Sequence, residues 1–306
     1  MTAPECRTKA NDNATPRGGH RWPMPSLLAK KGHRGYAGER KRCAETVMQN
    51  LFIAWLALPV VMLFASLFAF YFATAALLVW LSFRSKLSDR IQSFKGLVAP
   101  FFVSTATIFG LLVGFLSNDI WERNKQASRA VLAESDTLLA LYSLGAASGS
   151  DDRGLRTAIR GYVRAVVDDE WPRLAVQERS AQADAALNAL LREVAQPVAT
   201  KDAVIQRTML DMVLRIRAAR EDRVVLSNDR TMVTKWMAVL LLALITQIAI
   251  AAVHLERPRP QLAALLIFTI AAISILGLLV VHEAPFEPPI FVPPGPIGDV
   301  LWQVPM

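Results

Sequence analysis

The chain has little cysteine. Cys6 and Cys43 are its only two, both within the first 50 residues and in no CxxC spacing. That excludes a disulfide framework and thiolate metal sites, and the pair reads as two free cytosolic thiols. Ionisable side chains are missing from four long stretches, Leu51–Phe83, Leu97–Ser117, Trp236–Val253 and Leu262–Val281, which hold no Asp, Glu, Lys or Arg. A soluble helix of that length carries a polar face. Each stretch has the roughly 18 residues or more that a helix needs to cross about 30 Å of hydrocarbon. No P-loop, nucleophile elbow or zinc-ligand spacing occurs. The sequence therefore predicts no enzyme activity, no cofactor and no metal. Strand-type alternation of period two is also lacking.

What remains is an all-α membrane protein: four transmembrane helices with an intracellular helical bundle inserted between spans two and three. Residues 1–50 form a basic arm rich in Gly, Pro, Lys and Arg, predicted to be disordered. Residues 51–117 hold the first two spans, 118–232 the cytosolic helical domain, 233–282 the last two spans and 283–306 a proline-rich tail. The net charge is +8, but its distribution argues against nucleic acid. The arm carries ten Lys or Arg against four acidic residues, whereas 118–232 carries seventeen of each. The excess thus flanks the membrane, and the one large water-compatible domain is neutral.

Positive-inside counting places the N-terminus, the 118–232 segment and the C-terminus in the cytoplasm, in an inner (plasma) membrane. The first stretch is too long for one crossing, and Pro59 suits a first helical turn. The span is then Pro59–Phe83, with Leu51–Leu58 in the interface. Translation from Met48 is the alternative to Met1. Trp55, Trp80, Trp121, Trp236 and Tyr71 are the aromatic candidates, most of them at span ends, as interfacial anchors are.

In the central segment, Gly145–Ser150 reads as a loop and Asp151 or Asp152 as a cap for the next helix. That helix buries Leu155, Ile159, Tyr162, Val163, Val166 and Val167 and ends at Trp171-Pro172. A further helix covers Ala181–Ala195, and another starts near Thr200. No breaker lies between Pro100 and Leu144 or between Lys201 and His254. Spans two and three should therefore continue out of the membrane as long helices.

The second span is the most patterned. Ala106, Gly110 and Gly114 fall on every fourth residue, a spacing that lets another helix approach closely in lipid. Ile108, Leu112 and Phe115 lie roughly opposite. They either face lipid or, repeated in several subunits, form a hydrophobic neck that gates by dewetting. The lack of ionisable groups at depth argues against a proton-coupled transporter. His254 and His282 end antiparallel spans and cannot share a metal within one subunit. The run Asp168-Asp169-Glu170 reads as a solvated helix end rather than an acid/base pair. In the tail, Pro285 to Pro296 includes six prolines in twelve residues, an extended path that either lies on its own protein or binds a partner.

These residues also resemble a known family. Thr107-Ile108-Phe109-Gly110-Leu111-Leu112-Val113-Gly114-Phe115, followed by Asp119-Ile120-Trp121-Glu122-Arg123, is similar to the second span and helix exit of bestrophins. The nearer resemblance is to the bacterial bestrophin-like domain family, which has no assigned function. Its features occur in order: Trp121-Glu122-Arg123 with Ala127 and Glu134, Tyr162, Asp169-Glu170-Trp171-Pro172, Arg220 and Arg223, and Pro285-Phe286. The resemblance implies a homo-pentamer in the lipid bilayer, with five second spans lining a pore for anions or other ions. Two departures stand out. The calcium-sensing acidic cluster of animal bestrophins has no clear counterpart, and Pro288-Pro289 replaces a typical glycine. The expected function is an oligomeric ion channel with Ile108, Leu112 and Phe115 as its neck. The rival is a non-conducting membrane scaffold whose cytosolic helices and tail bind a partner.

Overall fold

The computed structural model describes residues 54–55, 58–93, 96, 99–148, 153–196, 202–229 and 231–305. The basic arm, the capping aspartates Asp151 and Asp152 and most of the interfacial stretch 51–58 lie outside the described residues. The chain divides into two units at Pro59, and residues 60–306 form the larger one. Every regular element among the described residues is a helix, and none is a strand.

Four helices are long and apolar enough to cross a membrane. The first, α1, is Val60–Phe83. A short α2, Ser88–Gln92, comes next. Helix α3, Ala99–Ala147, is 49 residues long and has no interruption, so it extends about 74 Å. The expected continuation of the second span out of the membrane is thus present. Gly145, Ala146 and Ala147 belong to this helix, not to the expected loop. The last turn packs closely on the next helix there, and a Cβ at Gly145 would fall 2.4 Å from Leu155 Cδ2.

Helix α4, Arg153–Arg164, passes into a π-helical segment, Ala165–Glu170, and then into α5, Trp171–Leu174. The expected stop at Trp171-Pro172 is therefore replaced by a widened turn and a restart. Pro172 occupies the first turn of α5, where its missing N–H costs nothing. Helix α6, Ala181–Ala195, has the predicted bounds. Ser180 caps it, its Oγ accepting the Ala183 N–H at 2.9 Å. Helix α7, Ala203–Asn228, is capped by Asp202, which accepts from the Val204 N–H at 2.9 Å.

The expected unbroken helix from Lys201 to His254 is absent. Helix α7 stops at Asn228 and α8, Val233–Val253, starts a new helix. Helix α9, Pro258–Val281, has prolines in its first turn. The tail holds two short helices, α10 Gly295–Gly298 and α11 Val300–Gln303, so the extended path does not persist to its end.

Helix α3 packs along α7 and α8, α9 packs on α1 and α8, and α4 packs on α6. The bundle core is built from Leu138, Leu141, Ile159, Tyr162, Leu190 and Ile216, among others. The tail lies on its own protein. Phe286, Ile297, Val300 and Val304 are buried in that core, and Arg160 Nη1 donates to the carbonyls of Leu301, at 2.8 Å, and Val304. Between the spans, the buried Gln247 amide ties three helices together. Its Nε2 donates to Tyr71 O at 3.1 Å and Thr269 Oγ1 at 2.8 Å, and its Oε1 accepts from Thr74 at 2.7 Å. A polar group in an apolar surround needs such partners.

Candidate pore helix and its buried charge networks

Helix α3 buries one stripe and leaves the rest open. Phe109, Val113, Leu116 and Ile120 face α8 and the other spans and are buried. The sequence-derived neck residues are placed differently from one another. Ile108 is 56% and Phe115 61% exposed within one chain, whereas Leu112 is half-buried. Leu111, beside them, is also exposed. On the small-residue side, Ala106 is half-buried, while Gly110 and Gly114 are exposed. A Cβ at either glycine would meet nothing within 4 Å. The glycine stripe therefore packs against no other helix among the described residues of its own chain. The open face of α3 carries both stripes.

Beyond the span, α3 carries two carboxylate and guanidinium networks that the spacing of the sequence did not assemble. The first lies in the bundle. Glu134 of α3 accepts from Arg223 Nε at 3.0 Å and Arg223 Nη2 at 3.1 Å. The Tyr162 hydroxyl donates to Glu134 at 2.6 Å. Arg223 also pairs with Glu170 at 2.8 Å. Glu170 in turn holds Arg220, whose Nε donates at 2.9 Å, and Arg220 reaches Asp184 and the Ser180 carbonyl. The Arg223 guanidinium sits 5.0 Å over the Trp171 ring, and Phe286 meets that ring edge-on at 5.7 Å.

Glu134, Glu170 and Arg223 have no exposed side-chain surface. Burying charges is costly unless each is paired and hydrogen-bonded. Arg220, Arg223, Glu134 and Glu170 meet most of that condition through these shared bonds, while Arg223 Nη1 has no hydrogen-bond partner among the described residues and its guanidinium lies over the Trp171 ring instead. Burial acts to lower the Arg223 guanidinium, but the charges of Glu134 and Glu170 outweigh it and hold it above its ordinary value. Burial pushes the Tyr162 hydroxyl well above the tyrosine range, and the neighbouring Glu134 charge acts in the same direction.

The acidic run Asp168-Asp169-Glu170 is thus not a uniformly solvated helix end. The π-helical turn splits it: Asp168 is exposed, Asp169 is half-buried and Glu170 is fully buried. Asp169 accepts from Ser180 Oγ and from Arg173 Nε at 3.1 Å, and these hydrogen bonds, Ser180's first, hold its carboxyl below the usual range. Family resemblance marked Glu134, Tyr162, Glu170, Arg220 and Arg223 without a role, periodicity placed Tyr162 on a buried helix face, and Glu170 was read as part of a solvated acidic run. The structure gives them one site.

The second network joins spans to bundle. Glu283, two residues past α9, is buried. Its Oε1 accepts the Thr231 N–H at 2.7 Å, and its Oε2 accepts from Thr231 Oγ1 at 3.2 Å and Trp236 Nε1 at 3.2 Å. Arg123 of α3 pairs with Glu283 at 3.5 Å and donates to Asp229 O at 3.3 Å and to Thr231 Oγ1. These contacts explain the break between α7 and α8, because Glu283 serves the backbone N–H of Thr231 that the helix would otherwise use. Trp236 is correspondingly no interfacial anchor. It is completely buried. Trp80 and Trp121 do remain exposed at their span ends. Glu283 escapes sequence reading because only its position in a charged tail is visible there. His254 and His282 terminate α8 and α9, respectively. Among the described residues no cluster of His, Cys, Asp or Glu could hold a metal ion.

Comparison with known proteins agrees with this architecture. The family model described as the Bestrophin-like domain matches residues 52–297. A search of curated proteins gives no match. The crystal structure of a membrane protein has a similar fold, with a TM-score of 0.61 and 9% identity, over 78% of this chain and 96% of that one. The family match takes in all four candidate spans, both charge networks and the folded-back tail as far as Ile297. On this ground the chain belongs to the bestrophin-like family of integral, multi-pass membrane proteins.

Proposed function

We propose that the chain is a subunit of an oligomeric ion channel, a homo-pentamer by family resemblance, with anions as its first candidate ions. Five copies of α3 line one pore, and Ile108, Leu112 and Phe115 form its apolar neck. The protein sits in the inner (plasma) membrane with its N-terminus in the cytoplasm, an orientation supported by the basic arm. The observation that carries this reading is the open face of α3. A membrane span with a bulky apolar side and a glycine side that both lie open in their own chain suits association around an axis. The glycines allow close approach between subunits, and the bulky side chains close a dewettable constriction.

Flux in liposomes tests the proposal. Reconstituted wild-type protein should pass ions, and Leu112→Ala should raise conductance or leak by widening the neck. Particle size in detergent should correspond to a pentamer of the 33.7 kDa chain. Monomers or dimers, or a well-assembled protein without flux, would favour a non-conducting scaffold instead.

A further inference from the structure

A cleft of about 690 Å³ opens where the second and fourth spans leave the membrane, between α3 and the end of α9. Trp121, Lys125, Ser128, Arg129 and His282 contribute to its walls. Its level is set by the sequence. Trp121 lies four residues past Ser117, the end of the charge-free stretch, or about 6 Å along the helix. His282 caps α9. The two rings stand together with centroids 4.8 Å apart.

We propose that this cleft binds the phosphodiester headgroup of an anionic phospholipid. Three observations carry the assignment. First, the charge is right. Arg129 is tied to Glu122 by an exposed ion pair, so the two offset each other. Lys125 forms no ion pair among the described residues, and it leaves one cation unspent. Second, a donor is at hand. The Trp121 Nε1–H makes no hydrogen bond among the described residues. His282 Nδ1 lies 2.9 Å from the Leu278 carbonyl, so that nitrogen is turned to its own helix and the ring serves as a wall beside the Trp121 indole. The Asn124 amide, which donates to Ile120 O at 2.9 Å and His282 O at 2.8 Å, ties α3 to the end of α9, the two walls of the cleft. Third, the place is right: a half-exposed indole with a basic group one turn beyond it is the combination that anchors at the headgroup layer. The proposal does not depend on whether the chain conducts.

The full-length protein in detergent, titrated with phosphatidylglycerol and read by native mass spectrometry, tests this. One lipid per chain should be retained. Lys125→Ala should weaken that binding about fivefold, as expected for one cation near a headgroup, and Lys125→Arg should restore it. Arg192→Ala, which removes an exposed cation on α6, should change nothing. Lys125 is exposed, and an unchanged circular dichroism spectrum will show that its variants fold. Equal loss in the Lys125 and Arg192 variants would overturn the proposal in favour of general surface charge. Displacement of the lipid by millimolar inorganic phosphate would overturn the lipid assignment in favour of a free-anion site. Equal retention of phosphatidylcholine would also overturn it, since the selectivity rests on net charge.

Discussion

Arg223 grips Glu134 through two nearly parallel hydrogen bonds of 3.0 and 3.1 Å, and neither side chain exposes any surface. The pair joins α7 to α3 deep in the bundle, and Glu170 shares the same guanidinium.

Removing that guanidinium leaves the buried Glu134 without a counter-charge and Glu170 with Arg220 alone. Arg223→Ala is expected to cost about 3–5 kcal/mol of stability, seen as a lowered unfolding midpoint in detergent. Arg223→Lys should recover little of it, because an ammonium cannot make the forked contact. An Arg223→Ala protein as stable as wild type would contradict the network's structural role.

Tyr162 imposes an alkaline limit. Its hydroxyl is held protonated well above the ordinary value of 10.0, so the folded state retains a proton that the unfolded chain releases. The stabilisation is complete below about pH 10 and is lost as pH rises from there towards the folded-state value. Tyr162→Phe should flatten the fall in stability between about pH 9 and 11. Absorbance titration of the four tyrosines should show one fewer tyrosinate in the variant only after unfolding.

The Glu283 contacts predict a local effect. In Glu283→Ala, Thr231 N–H and Trp236 Nε1 lose their acceptor and Arg123 its counter-charge. Hydrogen exchange at the Thr231 amide should accelerate by about tenfold or more, consistent with loss of a buried charged acceptor worth about 1.5–3 kcal/mol. Exchange within α6, far along the chain, should not respond.

Glycines in two spans should behave oppositely. A Cβ at Gly277 would fall 2.2 Å from Phe64 Cε1, so Gly277→Leu should disturb the packing of α9 on α1, with an overpacking cost of about 1–3 kcal/mol. Gly114 has open space in its own chain. Gly114→Leu should leave the fold intact, as read by circular dichroism, while shifting detergent particle size towards smaller assemblies.

The spans were legible because charge-free runs of that length have few alternatives, and α6 matched residue for residue because Ser180 offers a cap and Leu187, Leu190 and Val194 a regular face. Long-range pairing was not legible. Glu134 meets Arg223 across 89 positions and Glu170 meets Arg220 across 50, and no local pattern announces such partners. The break after Asn228 was hidden for the same reason. No Gly or Pro marks it, and its cause is a carboxylate at Glu283, 52 positions from Thr231. The π-helical turn that withdraws Glu170 from solvent likewise depends on arginines that arrive from α7. For the candidate neck, Ile108, Leu112 and Phe115 could be named from spacing, yet their unequal exposure reflects how α8 leans on one side of α3.

Helix α3 is one rigid rod shared by the membrane and the bundle. Phe115 and Glu134 lie 19 residues apart on it, about 29 Å with no joint between them. A twist of the bundle about the Arg223 clamp would be carried along this uninterrupted helix into the span, as the handle of a shaft turns its far end.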